Sequence, residues 1–391
     1  KPFTCVLRGP FPSPPHLAPP ASPMVVYDVA QPTKHEEGAS ENKPGHKKFV
    51  KYNLPGWVVH PLKVQPLKAA MLFPGEQNHY VGMMKDLRKK PVVKDMIAKA
   101  SDKCGVDLGA LMKEGPPAAM KPTGVNQVIM YVADCAAFEL MKEKNPELAS
   151  NPQAVAGFSV GEYAALYAAG VIRFEEGLSV VKVRADAMQE LADDAEMEAL
   201  VVRGVLADKL ERQIKSAEKL DREAGSDPEV YVARYWCPEG YVCAGKKTSV
   251  LKLKEVVERE SKAAEVRLLP DHLPATHTPM AKDAAVKVAN ALDRIAGSMR
   301  PPTCDVFLNA TGMRVPQGAD PSSFLGALKD QLSSPIQWSA TVNSMLMWGV
   351  RDFWECGPSR SLMFMMGYHE LTIEAPLHTV KASELTKSLP V

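Results

Sequence analysis

No stretch of this 391-residue sequence approaches eighteen consecutive apolar residues, the least a helix needs to cross a bilayer. The most apolar segment, 155–172, is interrupted by Ser159, Glu162 and several glycines, so a transmembrane helix is excluded. An excess of one charge sign is missing too: Lys and Arg total 47, Asp and Glu 46. Without a net field, nothing gathers nucleic acid or an anionic membrane. Cysteine is scarce. Seven occur, at 5, 104, 135, 237, 243, 304 and 356, an odd number with no CxxC pair and no close histidine partner. That argues against a disulfide framework or a structural zinc site and for a reducing compartment. No internal repeat is present. The first residue is Lys rather than Met, which fits a processed chain or a fragment, with a targeting peptide removed.

What is present is a globular composition, 46% apolar and 24% charged, long enough for two or three domains. Residues 1–66 stand apart, holding 13 of the 33 prolines and a polar stretch from Thr33 to Lys48. Such a segment cannot bury enough apolar surface to fold alone. It predicts an extended arm, ordered by contact with its own domain or a partner. Globular patterning starts at Leu67. The pattern predicts a strand over 67–73, a helix over 125–141, a strand over 154–158, and helices over 162–169 and 176–192. Strands alternating with helices imply an α/β domain with a mainly parallel sheet, assigned to 67–198 and 270–380. Residues 199–269 read instead as β-α-β-β-α-β, a small inserted ferredoxin-like α+β domain. The larger domain resumes with a helix near 280–297, a strand at 306–309 and a helix at 321–332, and 381–391 form a polar tail.

Gly157-Phe-Ser-Val-Gly161 matches GxSxG between a predicted strand and helix. Glycines there permit the sharp turn that exposes a serine Oγ above a sheet edge. A capping serine in a tight turn is the plainer alternative. With Ser159 at a helix start, the Val160 N–H lies where an oxyanion would form. A serine nucleophile needs a base. His16, His35 and His46 lie in the arm and His60 precedes the fold, while position alone does not rank His277 above His272, His369 or His378. Arg184 carries more information. Val180, Val181, Met188 and Leu191 lie within about 60° of it on a helix, so it faces the interior and needs an anionic partner. A buried salt bridge, a snorkelling stem and a guanidinium fork for a substrate carboxylate all fit. The turn from Phe73 to His79 either offers N–H groups to an anion or simply ends a strand. The Met-rich stretches 345–347 and 363–366 read as core packing.

Taken in order, these segments resemble the malonyl-CoA:acyl carrier protein transacylase family over about Leu67 to Gly367. The family's FPGQGxQ corresponds to Phe73-Pro-Gly-Glu-Gln-Asn-His79, GxSxGEY to Gly157–Tyr163, and R-x-x-x-M to Arg184–Met188. The histidine segment falls at Thr276–Met280, QLxxPVxW at Gln331–Trp338, and ExGP at Glu355–Pro358. The elbow and the segment 235–241 are most similar to plant and algal plastid members.

The resemblance implies an α/β-hydrolase-like large domain with the ferredoxin-like insertion. It also implies malonyl transfer from malonyl-CoA to the pantetheine thiol of acyl carrier protein in fatty-acid biosynthesis. Ser159 would be the nucleophile, His277 its base, and the Gln331 carbonyl the group that orients His277. Arg184, with Gln331 beside it in the substrate-binding set, would hold the malonyl carboxylate. Backbone N–H groups of Val160 and Glu76 would form the oxyanion hole. No metal or prosthetic group is expected, and acyl carrier protein and malonyl-CoA are the expected partners. The arm is expected to contact a larger assembly. The plastid stroma is the expected location and the mitochondrion its alternative. Two departures concern the site directly: Glu76 and Gln77 replace the Gln-Gly of the first motif, and Arg234 stands where an active-site asparagine is usual. A scaffolding subunit descended from the family and a plain serine hydrolase are the competing readings.

Overall fold

A computed structural model describes residues 67–85, 87–150, 153–193, 196–261, 265–269, 275–369 and 377–381. The arm and the residues after 381 lie outside them. Among the described residues, ten strands form two sheets. The larger holds β1 (Ala69–Phe73), β2 (Ala154–Gly157), β7 (Asp305–Phe307), β8 (Arg314–Val315), β9 (Asp352–Gly357) and β10 (Leu377–Lys381). Their spatial order is β10-β9-β1-β2-β7-β8. All neighbours pair in parallel except β7 and β8.

The sheet is covered on both faces, as a parallel sheet requires. Along β1, Met71 and Phe73 enter one apolar cluster with the Thr123–Lys144 helix, while Ala70 and Leu72 enter another around Trp338 and Phe353. This is the two-residue period of a strand with both sides buried. β9 and β10 extend the sheet beyond the strands that the sequence pattern predicts, and the Pro91–Cys104, Leu108–Glu114 and Pro117–Met120 helices fill the segment after the first turn.

The second sheet is built between Met197 and Leu268 from β3 (Met197–Arg203), β4 (Val230–Cys237), β5 (Gly240–Lys246) and β6 (Glu265–Leu268). Its order β4-β5-β3-β6 is wholly antiparallel. The Ala207–Glu223 and Lys247–Glu260 helices cover one face through Leu210, Ala217, Val250 and Leu253. This is the ferredoxin-like order.

Position follows from topology. β1 lies between β2 and β9, so chain connections leave it in opposite directions. In open parallel sheets, ligands bind beyond the carboxyl ends of strands at such a switch point. The segments just after β1, β2 and β7 carry Glu76, Ser159 and Asn309. Among the described residues no helix is long and apolar enough to cross a membrane, and the six described cysteines are all free.

Candidate active site

Ser159 sits at the turn between β2 and the Gly161–Ala168 helix with φ 56°, in the left-handed region that a side chain enters at a cost. The flanking glycines make the turn possible. A Cβ at Gly157 would lie 2.0 Å from the Gly161 carbonyl, and one at Gly161 would lie 2.2 Å from the Phe73 oxygen. Asn309, two residues past β7, braces the turn. Its Oδ1 accepts the Ser159 N–H at 2.7 Å, and its Nδ2 donates to the Gly157 carbonyl. Among the described residues, neither the Val160 N–H nor the Glu76 N–H donates to a protein acceptor.

Two side chains converge on the Oγ of Ser159, a residue only 5% exposed. His277 Nε2 lies 2.9 Å away, and Arg184 Nη2 donates to the same oxygen at 2.9 Å. His277 is fully buried with φ 63°, and its backbone N–H is tied to the Leu332 carbonyl at 2.7 Å. Its Nδ1 lies 2.9 Å from the Gln331 carbonyl. A carbonyl only accepts, so Nδ1 carries the proton and Nε2 offers a lone pair to the serine hydroxyl. Burial first, then the charges of Arg184 and Arg234, hold the His277 pKa well below the ordinary histidine value. The imidazole is therefore neutral at physiological pH. Of the other candidate histidines, His369 is buried beside Trp236, and His272 and the His378 side chain lie outside the described residues.

Arg184 is wholly buried, so its stem does not snorkel, and among the described residues it makes no ion pair. Nη1 donates to Gln127 Oε1, and Nε donates to Gln331 Oε1 at 3.3 Å. Glu76 and Glu162 are near enough to support its charge against burial, which pulls its pKa down. A buried guanidinium satisfied by amides and a serine retains its affinity for an anion.

Gln331 lies behind the catalytic groups. Its Nε2 donates to the Ser159 carbonyl at 2.8 Å and to Glu162 Oε2 at 2.6 Å, while its own carbonyl meets His277. These contacts hold the nucleophile, base and arginine in register. Glu162, Asn309 and Gln127 are the site residues that the sequence reading lacked. Glu162 Oε1 accepts the Asn309 N–H at 2.7 Å, and burial pushes its pKa up to about 7. The position of Glu162 inside the GxSxGE motif, and of Asn309 just past a strand, were the available signals.

A cavity of about 370 Å³ opens beside the serine turn, lined by Gly75, Glu76, Phe158, Arg234, Trp236 and Phe364 among others. Glu76 turns its carboxylate to Thr123, whose hydroxyl donates to it at 2.6 Å. Phe158 lines this cavity and packs edge-on against Trp338 at 5.5 Å.

Comparison with known proteins gives a consistent answer. The acyl transferase domain model matches residues 71–349. The malonyl CoA-acyl carrier protein transacylase of Haemophilus influenzae is 31% identical over 296 residues, 75% of this chain and 90% of that protein. The human mitochondrial malonyl-CoA-acyl carrier protein transacylase is 29% identical over 88% of this chain and 84% of its own length. A solved malonyl-transacylase in complex with its type II PKS acyl-carrier protein superposes with a TM-score of 0.69 at 29% identity, covering 80% of this chain and 94% of that one.

Proposed function

The chain belongs to the malonyl-CoA:acyl carrier protein transacylase family of acyl transferase domains, and from that premise we propose how its residues carry a malonyl group from malonyl-CoA to acyl carrier protein in fatty-acid biosynthesis. One observation carries the assignment of roles: a single buried oxygen, Ser159 Oγ, is held at 2.9 Å by both a neutral imidazole and a permanent cation.

Ser159 Oγ attacks the thioester carbonyl as its proton passes to His277 Nε2. The carbonyl oxygen becomes an oxyanion that the N–H groups of Val160 and Glu76 receive. Collapse expels the CoA sulfur, which takes the proton from His277 and leaves as the thiol. The malonyl-serine ester remains. The pantetheine thiol of acyl carrier protein then attacks the ester and gives its proton to His277. The second collapse returns that proton to Ser159 Oγ, and malonyl-pantetheine departs.

Arg184 holds the malonyl carboxylate during both steps and so fixes the carbonyl against Oγ. The bound carboxylate has a second effect. Arg184 is one of the charges that weakens His277 as a base, so an anion paired to it makes proton transfer to Nε2 easier. Gln331, Glu162 and Asn309 position these groups through their hydrogen bonds to Ser159, His277 and one another.

The test is transfer of label from malonyl-CoA to acyl carrier protein bearing pantetheine. Label on the carrier, dependent on the enzyme, is the expected result, and none despite correct folding refutes the reading. The arm, residues 1–66, is assigned to contact with a larger assembly. Truncation at Pro66 is expected to preserve transfer and lose that association, whereas loss of folding would place the arm in the core. For location, the elbow and the 235–241 segment favour the plastid stroma, and the mitochondrial human relative favours the mitochondrion. Imaging the protein in its own cells decides between them.

A further inference from the structure

Glu76 and Arg234 depart from the family's glutamine and asparagine, and they lie 158 residues apart in the sequence. The fold brings both to one cavity beside Ser159. Glu76 follows β1 of the large sheet, and Arg234 lies on β4 of the small one. β4 is stitched to the large domain on both sides of Arg234: the Tyr235 N–H donates to the Ile336 carbonyl at 2.8 Å, and the Ile336 N–H donates to the Ala233 carbonyl at 2.9 Å. These two bonds fix the backbone on either side of Arg234.

The charges depend on each other. The Nε of Arg234 is sealed from solvent with no hydrogen-bond partner. Burial works against its charge, Glu76 supports it and Arg184 opposes it. Burial likewise works against the Glu76 carboxylate, and Thr123, Arg184 and Arg234 support its ionised form. The third charged group lining the cavity, Arg267, is exposed and already paired with Glu265 at 3.4 Å. A carboxylate at Glu76 without Arg234 would draw on Arg184 and repel an incoming substrate carboxylate. Arg234 without Glu76 would add an uncompensated cation beside His277.

We propose that Glu76 and Arg234 form a compensating pair that preserves selectivity for carboxylate-bearing acyl thioesters. Arg234 offsets the Glu76 charge, which leaves Arg184 free for the donor's carboxylate. Arg234 is in this sense a positioning residue. The inference rests on the proposed role of Arg184 and on malonyl transfer as the reaction.

The experiment measures kcat/KM for malonyl-CoA and acetyl-CoA in wild type, Arg234→Asn, Glu76→Gln and the double variant, at one ionic strength. Acetyl-CoA has no carboxylate, so the malonyl-to-acetyl ratio cancels general damage. Arg234→Asn is expected to lower that ratio about tenfold, within the coupling range of neighbouring charges. Adding Glu76→Gln is expected to return it to within about threefold of wild type, because the carboxylate that Arg234 offset is gone. Arg234→Lys keeps the charge and is expected to keep the ratio, and Arg234→Gln takes the place of Arg234→Asn if the latter does not fold. An unchanged ratio in the charge-removing variant, or a double variant no better than it, overturns the pairing. Those outcomes with an active wild type leave malonyl transfer standing, whereas an inactive wild type removes the premise itself.

Discussion

Replacing Arg184 by alanine should change which acyl group is transferred more than whether transfer occurs. In the resting site the guanidinium has three hydrogen-bond partners, Gln127, Gln331 and Ser159, and among the described residues no ion pair. A malonyl donor supplies the missing anion inside a site where Arg184 is 0% exposed. Truncating one partner of a buried, hydrogen-bonded charge pair costs about 2–5 kcal/mol. At about 1.4 kcal/mol per tenfold, malonyl transfer should fall by roughly 30-fold at the least and by about three and a half orders of magnitude at the most. An acetyl donor loses no such pair. It also meets a His277 relieved of one of the charges that lowers its basicity. The assay is kcat/KM for both donors on both proteins, because their ratio cancels damage from the two glutamine oxygens left without a donor. An equal loss for both donors would show that Arg184 only supports the structure.

His277→Ala should slow acylation and deacylation alike, by about a hundredfold or more, since one group serves as base and then acid. Because its pKa lies well below the ordinary histidine value, the active neutral form persists as pH falls, and the wild-type rate should show no acid limb near pH 6.5. A limb at or above that value in kcat/KM would contradict the burial argument. Glu355 gives a stability test of opposite sign to the usual carboxylate. It accepts the Leu362 and Met363 N–H groups at 3.0 and 2.9 Å, yet burial raises its pKa from 4.5 to about 7. The folded state then binds the proton more tightly than the unfolded one, so its contribution is complete below pH 4.5 and lost as pH rises to about 7. The span is about 3 kcal/mol. Urea unfolding of wild type and Glu355→Gln at several pH values should differ by that slope, and parallel curves would refute it.

The serine turn was the most legible part of the site, because its chemistry is local: two glycines and a serine must occupy alternate positions within five residues to make it. Arg184 was legible as a buried charge from helical spacing, but its partner was not. Burial and the hydrogen bonds to Gln127 and Gln331 join residues 57 and 147 positions apart, and no window of sequence contains such pairs. The same reason hid Asn309, which is 150 positions from the amide it accepts. His277 could be singled out only through the family motifs, since nothing local separates it from three other histidines. The Pro91–Cys104 helix is a different case: Pro91 at its first turn and Gly105 in the left-handed conformation at its end are recognised helix signals that the sequence reading did not use. β9 and β10 were missed because a short apolar run identifies a buried strand poorly without its neighbours.

Every step of the transfer runs through the Ser159 Oγ, the atom that carries the acyl group. Intact mass of the purified protein after brief incubation with malonyl-CoA, without acyl carrier protein, measures this directly. The predicted result is one malonyl adduct, mapped by peptide analysis to Ser159, absent from Ser159→Ala, and discharged when acyl carrier protein bearing pantetheine is added. An adduct that persists undiminished in folded Ser159→Ala, or that maps to another residue, would contradict the account.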